Sequence, residues 1–204
     1  MKRARNVQQS MGMHLRRWYL LGFLAVLWIP LGCRLLNADS RVAFLGDSII
    51  WKWPYPRANF GVQGNTTQQM FMRLPSILST GRYKQIVILG GTNDLLENID
   101  QRSTLGNLEE IGQSSAAAGA QPVLCEIPPI FHDYKGGGST DYSERVRSLN
   151  QGIAQLAERH HWKLIDYYDP MVGHPDYFSD GVHLKRRGYL VMELTYLREA
   201  PVQP

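Results

Sequence analysis

Two short strings in this 204-residue chain carry the residue types needed for nucleophilic chemistry, Gly46-Asp47-Ser48 and Asp180-Gly181-Val182-His183. A serine hydroxyl is a weak nucleophile until a base takes its proton. An imidazole titrates near neutrality and can both take that proton and return it. His183 is therefore the candidate base for Ser48. Asp180, three residues earlier, is the candidate orienter, holding one tautomer of the ring and stabilising the imidazolium. A serine, a base and an orienter are the parts of an acyl-transfer site, which also needs donors for a developing oxyanion. Two more polar strings end strand-like runs, Gly61-Val62-Gln63-Gly64-Asn65 and Gly91-Thr92-Asn93-Asp94. Asp47 and Asp94 read as residues that brace these loops rather than react.

A frame is needed to bring these strings together. Val42–Leu45, Ile86–Leu89, Val123–Cys125 and Leu164-Ile165 are apolar runs, each followed by a turn signal, and a weaker strand lies near 58–62. Continuous short apolar runs suit strands buried on both faces, as in parallel sheets. Helical spacing fills the gaps: Met70, Leu74, Ile77 and Leu78, with Thr66 or Thr67 as a cap, then a segment near 105–119, then Val146, Leu149, Ile153 and Leu156, then 184–197. Alternating strands and helices predict an α/β fold, a three-layer α/β/α sandwich around an about five-stranded parallel sheet. In an open sheet of this kind ligands bind beyond the carboxyl ends of the strands, where the polar strings fall.

With these strings in order and at strand ends, residues 41–196 resemble the SGNH (GDSL) hydrolase superfamily. Its four marker residues match Ser48 in GDS, Gly64 before a polar residue and Thr, Asn93 in GTND, and His183 in DGVH. The Asp-x-x-His spacing and Tyr167-Tyr168 resemble its small bacterial acylhydrolases. The resemblance implies a flavodoxin-like sandwich and a serine esterase or acylhydrolase acting through an acyl-serine intermediate. It implies an oxyanion hole made of the Ser48 and Gly64 backbone N–H groups and the Asn93 side-chain amide. The missing Cβ at Gly64 would let the backbone approach the reacting centre. Ile50 stands where the family often has Thr, a departure expected to bear on the substrate rim. Trp51, Trp53 and Tyr55, after the nucleophile, either line an acyl or sugar pocket or pack beneath the loop. His132, in the Gly-rich stretch 128–142, is a further candidate substrate contact.

Composition narrows the classes. Hydrophobic residues are 44% and charged residues 20%, an ordinary globular mixture that excludes a disordered or multi-span membrane chain. Two cysteines, Cys33 and Cys125, cannot build a disulfide scaffold or a four-cysteine zinc site. No HExxH, paired-histidine or calcium-loop pattern occurs, so no metal is expected, and no phosphate-binding glycine loop, so no cofactor is expected. The Gly-x-Ser-x-Gly elbow of the α/β-hydrolases is absent as well.

The charge is unevenly placed. The net +4 divides into +6 over residues 1–38 and −2 over residues 39–204. A basic segment followed by the uncharged run Trp18–Cys33 has the form of an export signal. It reads as an uncleaved anchor, a lipoprotein signal ending at Cys33, or a cleaved signal. Each places a catalytic domain, 39–204, on the far side of a bacterial cytoplasmic membrane, held at the envelope or secreted. The basic excess then belongs to membrane insertion and not to nucleic acid, and the expected partners are the membrane and a small ester, lipid ester or acylated glycan. A different class on the same fold is a tethered, non-catalytic module that binds glycan or lipid through Trp51, Trp53 and Tyr55.

Overall fold

A computed structural model of the chain describes residues 41–55, 58–131 and 141–200. The basic and apolar segment 1–38 expected to direct export, His132 and the triple glycine of 136–138 lie outside the described residues, as does Cys33.

Five strands form one parallel sheet: β1 (Val42–Gly46), β2 (Ala58–Gly61), β3 (Gln85–Leu89), β4 (Gln121–Cys125) and β5 (Lys163–Ile165). Their order across the sheet is β2-β1-β3-β4-β5. All five residues of β1 and of β3 are buried, which is why Val42–Leu45 and Ile86–Leu89 read as unbroken apolar runs rather than alternating ones. Between and after the strands come α1 (Ser48–Lys52), α2 (Thr67–Leu78), α3 (Thr92–Leu96), α4 (Gln101–Ala117), α5 (Ser143–His160) and α6 (Arg186–Glu199). Thr66, not Thr67, caps α2; its hydroxyl accepts from the Gln69 N–H while the Gln69 side chain accepts from the Thr66 N–H.

The strand order assigns the helices to faces. From β1 the chain crosses to one side to reach β2, then reverses to build β3, β4 and β5 on the other side. With right-handed crossovers, α2, α4 and α5 cover one face and α1 the opposite one. α6 joins α1 there: Tyr189 of α6 donates its hydroxyl to the Ile49 carbonyl at 3.2 Å, and Tyr196 meets Phe44 of β1 edge-on at 5.1 Å between centroids. The longer helices bury an apolar stripe, including Met70, Leu74 and Ile77 in α2, with Leu78 half-buried beside them, Leu108 and Ile111 in α4, and Val146, Leu149 and Ile153 in α5. Fully burying one such side chain is worth about 1.5–3 kcal/mol.

The same order creates the crevice. The direction of connection reverses about β1, so the loops after β1 and β3 part at their carboxyl ends. The register makes those ends level, pairing Gly46 with Leu89 on one side and with Gly61 on the other. The polar strings after β1, β2 and β3 therefore meet at one edge of the sheet. Among the described residues, no helix is long and apolar enough to cross a membrane.

Candidate active site

Ser48 is the first residue of α1, directly after β1. Its backbone N–H has no intrahelical acceptor, as for any first helical residue. Asp47 caps this helix, accepting the Ile49 N–H at 2.8 Å. Gly61, at the end of β2, lies against the far end of α1; a Cβ there would overlap the backbone of Trp51, so only glycine lets the edge strand close on the nucleophile helix. The loop that follows turns at Gly64 with φ +70°, a left-handed conformation that glycine adopts without strain. A Cβ at Gly64 would meet nothing within 4 Å, so the backbone conformation rather than crowding calls for glycine here.

Asn93 sits in α3, after β3, and its side-chain amide donates to the Asn65 carbonyl at 3.0 Å. One N–H of the amide is thereby used, and the geometry of an amide leaves the second for the cleft. The Gly64 loop is tied down from beneath. Arg73 of α2 donates to the Asn65 side chain at 2.8 Å and to the Gly46 carbonyl at 2.7 Å, so one guanidinium joins the loop to the end of β1. Asp94 accepts from both the Thr67 N–H, at 3.0 Å, and the Thr67 hydroxyl, at 2.6 Å, joining α3 to the start of α2.

The third element is the loop before α6. An isolated antiparallel bridge, Phe178 with Leu184, pinches its neck, and the Ser179 N–H and hydroxyl both donate to the His183 carbonyl. Inside the turn one oxygen of Asp180 accepts the backbone N–H groups of Val182 at 3.1 Å and His183 at 2.7 Å. Its other oxygen lies 2.7 Å from Nδ1 of His183, and Nε2 of His183 lies 2.9 Å from Oγ of Ser48. Burial alone would raise the Asp180 carboxyl, but the His183 N–H, the His183 ring and the Val182 N–H outweigh it and hold the carboxyl below its usual range. An ionised Asp180 fixes the proton on Nδ1 and leaves the Nε2 lone pair facing the serine. That arrangement can pull the proton from Oγ as it attacks a carbonyl and return it to the departing group.

Ser48, Gly64, Asn93 and His183 line one cleft of about 270 Å³. Lys52, Gln63, Leu96, Glu97 and Val182 complete its walls; Gln63 and Val182 belong to the polar strings, whereas Lys52, Leu96 and Glu97 lie outside them. The aromatic cluster divides. Trp51 is 51% exposed, whereas Trp53 is 2% exposed and Tyr55 is buried. Trp53 packs edge-on against Phe44 at 5.0 Å and faces Tyr167 and Tyr196. Trp53 and Tyr55 are buried in the core, because the chain leaves α1 in an extended conformation at Trp53 and lays that ring against Phe44 of β1. Ile50 is likewise fully buried, against Gly46, and does not reach the rim.

Asp47 is also wholly buried, and one of its oxygens has no hydrogen-bond partner. Burial, opposed by the Ile49 N–H and reinforced by the nearby Asp94 carboxyl, lifts its pKa to about 7. Unfolded, the group titrates near pH ~4. Between those values the folded chain holds the proton more tightly, so the contribution to stability is complete below about pH 4 and is lost as the pH rises to about 7, at up to about 1.4 kcal/mol per pH unit. Asp47→Asn keeps an oxygen for the Ile49 N–H and cannot ionise. Urea denaturation should show Asn gaining stability relative to Asp as the pH rises through this range, then levelling. A difference that stays constant with pH would rule this out.

Known proteins are similar to this chain in sequence and in fold. A thioesterase 1/protease 1/lysophospholipase L1 of Escherichia coli strain K12 is 30% identical over 96 residues, covering 47% of this chain and 45% of that protein. The chain thus spans about half the length of the curated relatives it matches. A GDSL-like lipase from Bacteroides thetaiotaomicron VPI-5482 superposes with a TM-score of 0.71 at 26% identity, over 79% of this chain and 88% of its own. An acetylxylan esterase from Geobacillus stearothermophilus shares the fold, with a TM-score of 0.65 at 16% identity over 79% of this chain and 94% of its own. The GDSL-like lipase/acylhydrolase family model matches residues 32–191, a span that includes Ser48, Gly64, Asn93, Asp180 and His183, and the chain belongs to that family.

Proposed function

We propose that this chain is a serine esterase that hydrolyses a carboxylic ester through an acyl-serine intermediate, with Ser48 as nucleophile, His183 as general base and acid, and Asp180 as orienter. The observation that carries this reading is the continuous relay from Asp180 to Nδ1 and from Nε2 to the Ser48 hydroxyl, opening on a cleft. In the first half-reaction Oγ attacks the ester carbonyl as Nε2 takes its proton. The oxyanion forms against the Ser48 and Gly64 N–H groups and the free N–H of Asn93. His183 then protonates the leaving alcohol, and a water activated by the same imidazole releases the acid. No cofactor is required by these steps.

Acyl, thioester and lysophospholipid substrates are suggested by the name of the Escherichia coli relative, and acetylated sugars by the Geobacillus esterase. The small cleft supports a short acyl group. The basic, then apolar, segment 1–38 supports an enzyme held at or beyond the cytoplasmic membrane. The binding-module alternative leaned on three aromatics, and two of them are in the core.

The test is labelling of the purified protein by a fluorophosphonate, mapped to Ser48, together with hydrolysis of short-chain esters. A protein that neither labels nor hydrolyses any ester from acetyl to palmitoyl is not an esterase. Asn93→Ala should lower kcat by about 10²–10³ with a smaller change in KM, because the donor acts on the charge that develops in the transition state. An unchanged kcat would remove Asn93 from the oxyanion hole.

A further inference from the structure

Lys52 stands four residues after Ser48 on α1. At 100° per residue the two side chains leave the helix from one face, a turn apart. Both line the same cleft, and Lys52 is exposed. Among the described residues, Lys52 forms no ion pair. The cleft holds a second charge placed in the same way, since Glu97 stands four residues after Asn93, at the end of α3, and lines the cleft as well. Nucleophile and oxyanion donor thus each carry a charged neighbour of opposite sign one helical turn along. A neutral substrate would gain nothing from this pairing, whereas a charged one would be sorted by it. An anionic group would be attracted at Lys52, which bears on both its acceptance and its position in the cleft.

We infer that Lys52 is a specificity-determining residue that recognises an anionic group, a carboxylate or phosphate, borne by the substrate close to its scissile ester. The inference rests on the esterase reading and narrows it to a substrate class. The ammonium is a point charge on a flexible stem, suited to either anion and to either side of the ester. Because Lys52 is exposed, its attraction is partly screened by salt.

The experiment compares four esters in the full-length wild type and in Lys52→Gln. One pair differs on the alcohol side, 3-acetoxybenzoate against its neutral methyl ester. The other differs on the acyl side, phenyl hemisuccinate against phenyl methyl succinate. For each pair the ratio of kcat/KM, anionic over neutral, is divided by the same ratio in the variant, which cancels intrinsic reactivity. In at least one pair the ratio should fall roughly three- to tenfold in Lys52→Gln, and more in Lys52→Glu, with the effect shrinking as salt is raised. The pair that responds tells which side of the ester carries the anion. Ratios unchanged in both pairs, or equal losses on anionic and neutral esters, overturn the inference while hydrolysis that disappears in Ser48→Ala leaves the esterase reading intact. No hydrolysis of any of the four by a wild type that still labels with a fluorophosphonate overturns the inference alone, and a wild type that neither labels nor hydrolyses any ester from acetyl to palmitoyl overturns both.

Discussion

Ser48→Ala should lower kcat by on the order of 10⁴–10⁶ and abolish fluorophosphonate labelling, and His183→Ala should do the same. The two residues act as one unit, because the 2.9 Å contact between Nε2 and Oγ is the path by which the proton leaves the nucleophile. Without the hydroxyl there is nothing to acylate, and without the imidazole the hydroxyl keeps its proton at the moment of attack. The losses should not add. The Ser48→Ala/His183→Ala double variant should be about as slow as either single one, with the residual rate coming from the oxyanion donors and binding. Folding should survive Ser48→Ala, since the change deletes one atom at the edge of a cleft and leaves the Asp47 cap and the first turn of α1 in place. Steady-state kinetics with thermal melts of the three variants check this. A single variant that retains the wild-type rate while folded would remove the mechanism, and a double variant far slower than both singles would show that the two residues act independently.

The elements legible in the sequence are those with a period. β1 and β3 are short apolar runs because both faces are covered, and α2, α4, α5 and α6 are long enough to repeat a buried stripe several times. Residue type alone leaves Thr66 and Thr67 as equal caps for α2, whereas the capping-box spacing to Gln69 belongs to Thr66 only, Thr67 having Met70 three residues on. α1 and α3 were not foreseen, because five residues complete little more than one turn and give no stripe. That omission explains the misplacements around the nucleophile. Once Ser48 is known to begin a helix, Ile50 falls about 200° away from it and belongs in the core, while Lys52 returns to the same face and belongs in the cleft. Trp51 and Trp53 diverge because the helix ends between them. Arg73 had no local signal at all. Its two acceptors, Gly46 and Asn65, lie 27 and 8 residues away, and only the packing of α2 against β1 brings them together.

The Asp180 loop carries the sharpest discrimination between an orienting residue and a merely structural one. Asp180→Asn should lower kcat by on the order of 10⁴. The reason is local. One carboxylate oxygen is committed to the backbone N–H groups of Val182 and His183. In the asparagine variant the side-chain oxygen must take that place, since an NH₂ group there would face two donors. The NH₂ is then turned toward Nδ1 of His183, 2.7 Å away in the wild type. A donor in that position selects the tautomer with its proton on Nε2, the nitrogen that should receive the serine proton. Asp180→Ala imposes no such tautomer. The Asp180 side chain is 37% exposed, so water can stand in for the lost carboxylate and accept from Nδ1. The alanine variant should therefore be the faster of the two, the reverse of what conservative substitution suggests. It should also be the less stable, having lost the acceptor for two backbone N–H groups, at a cost of about 1–3 kcal/mol. Parallel measurements of kcat and of urea midpoints decide the matter. An asparagine variant as active as wild type, or an alanine variant slower than asparagine at equal stability, would show that Asp180 shapes the turn without controlling the imidazole.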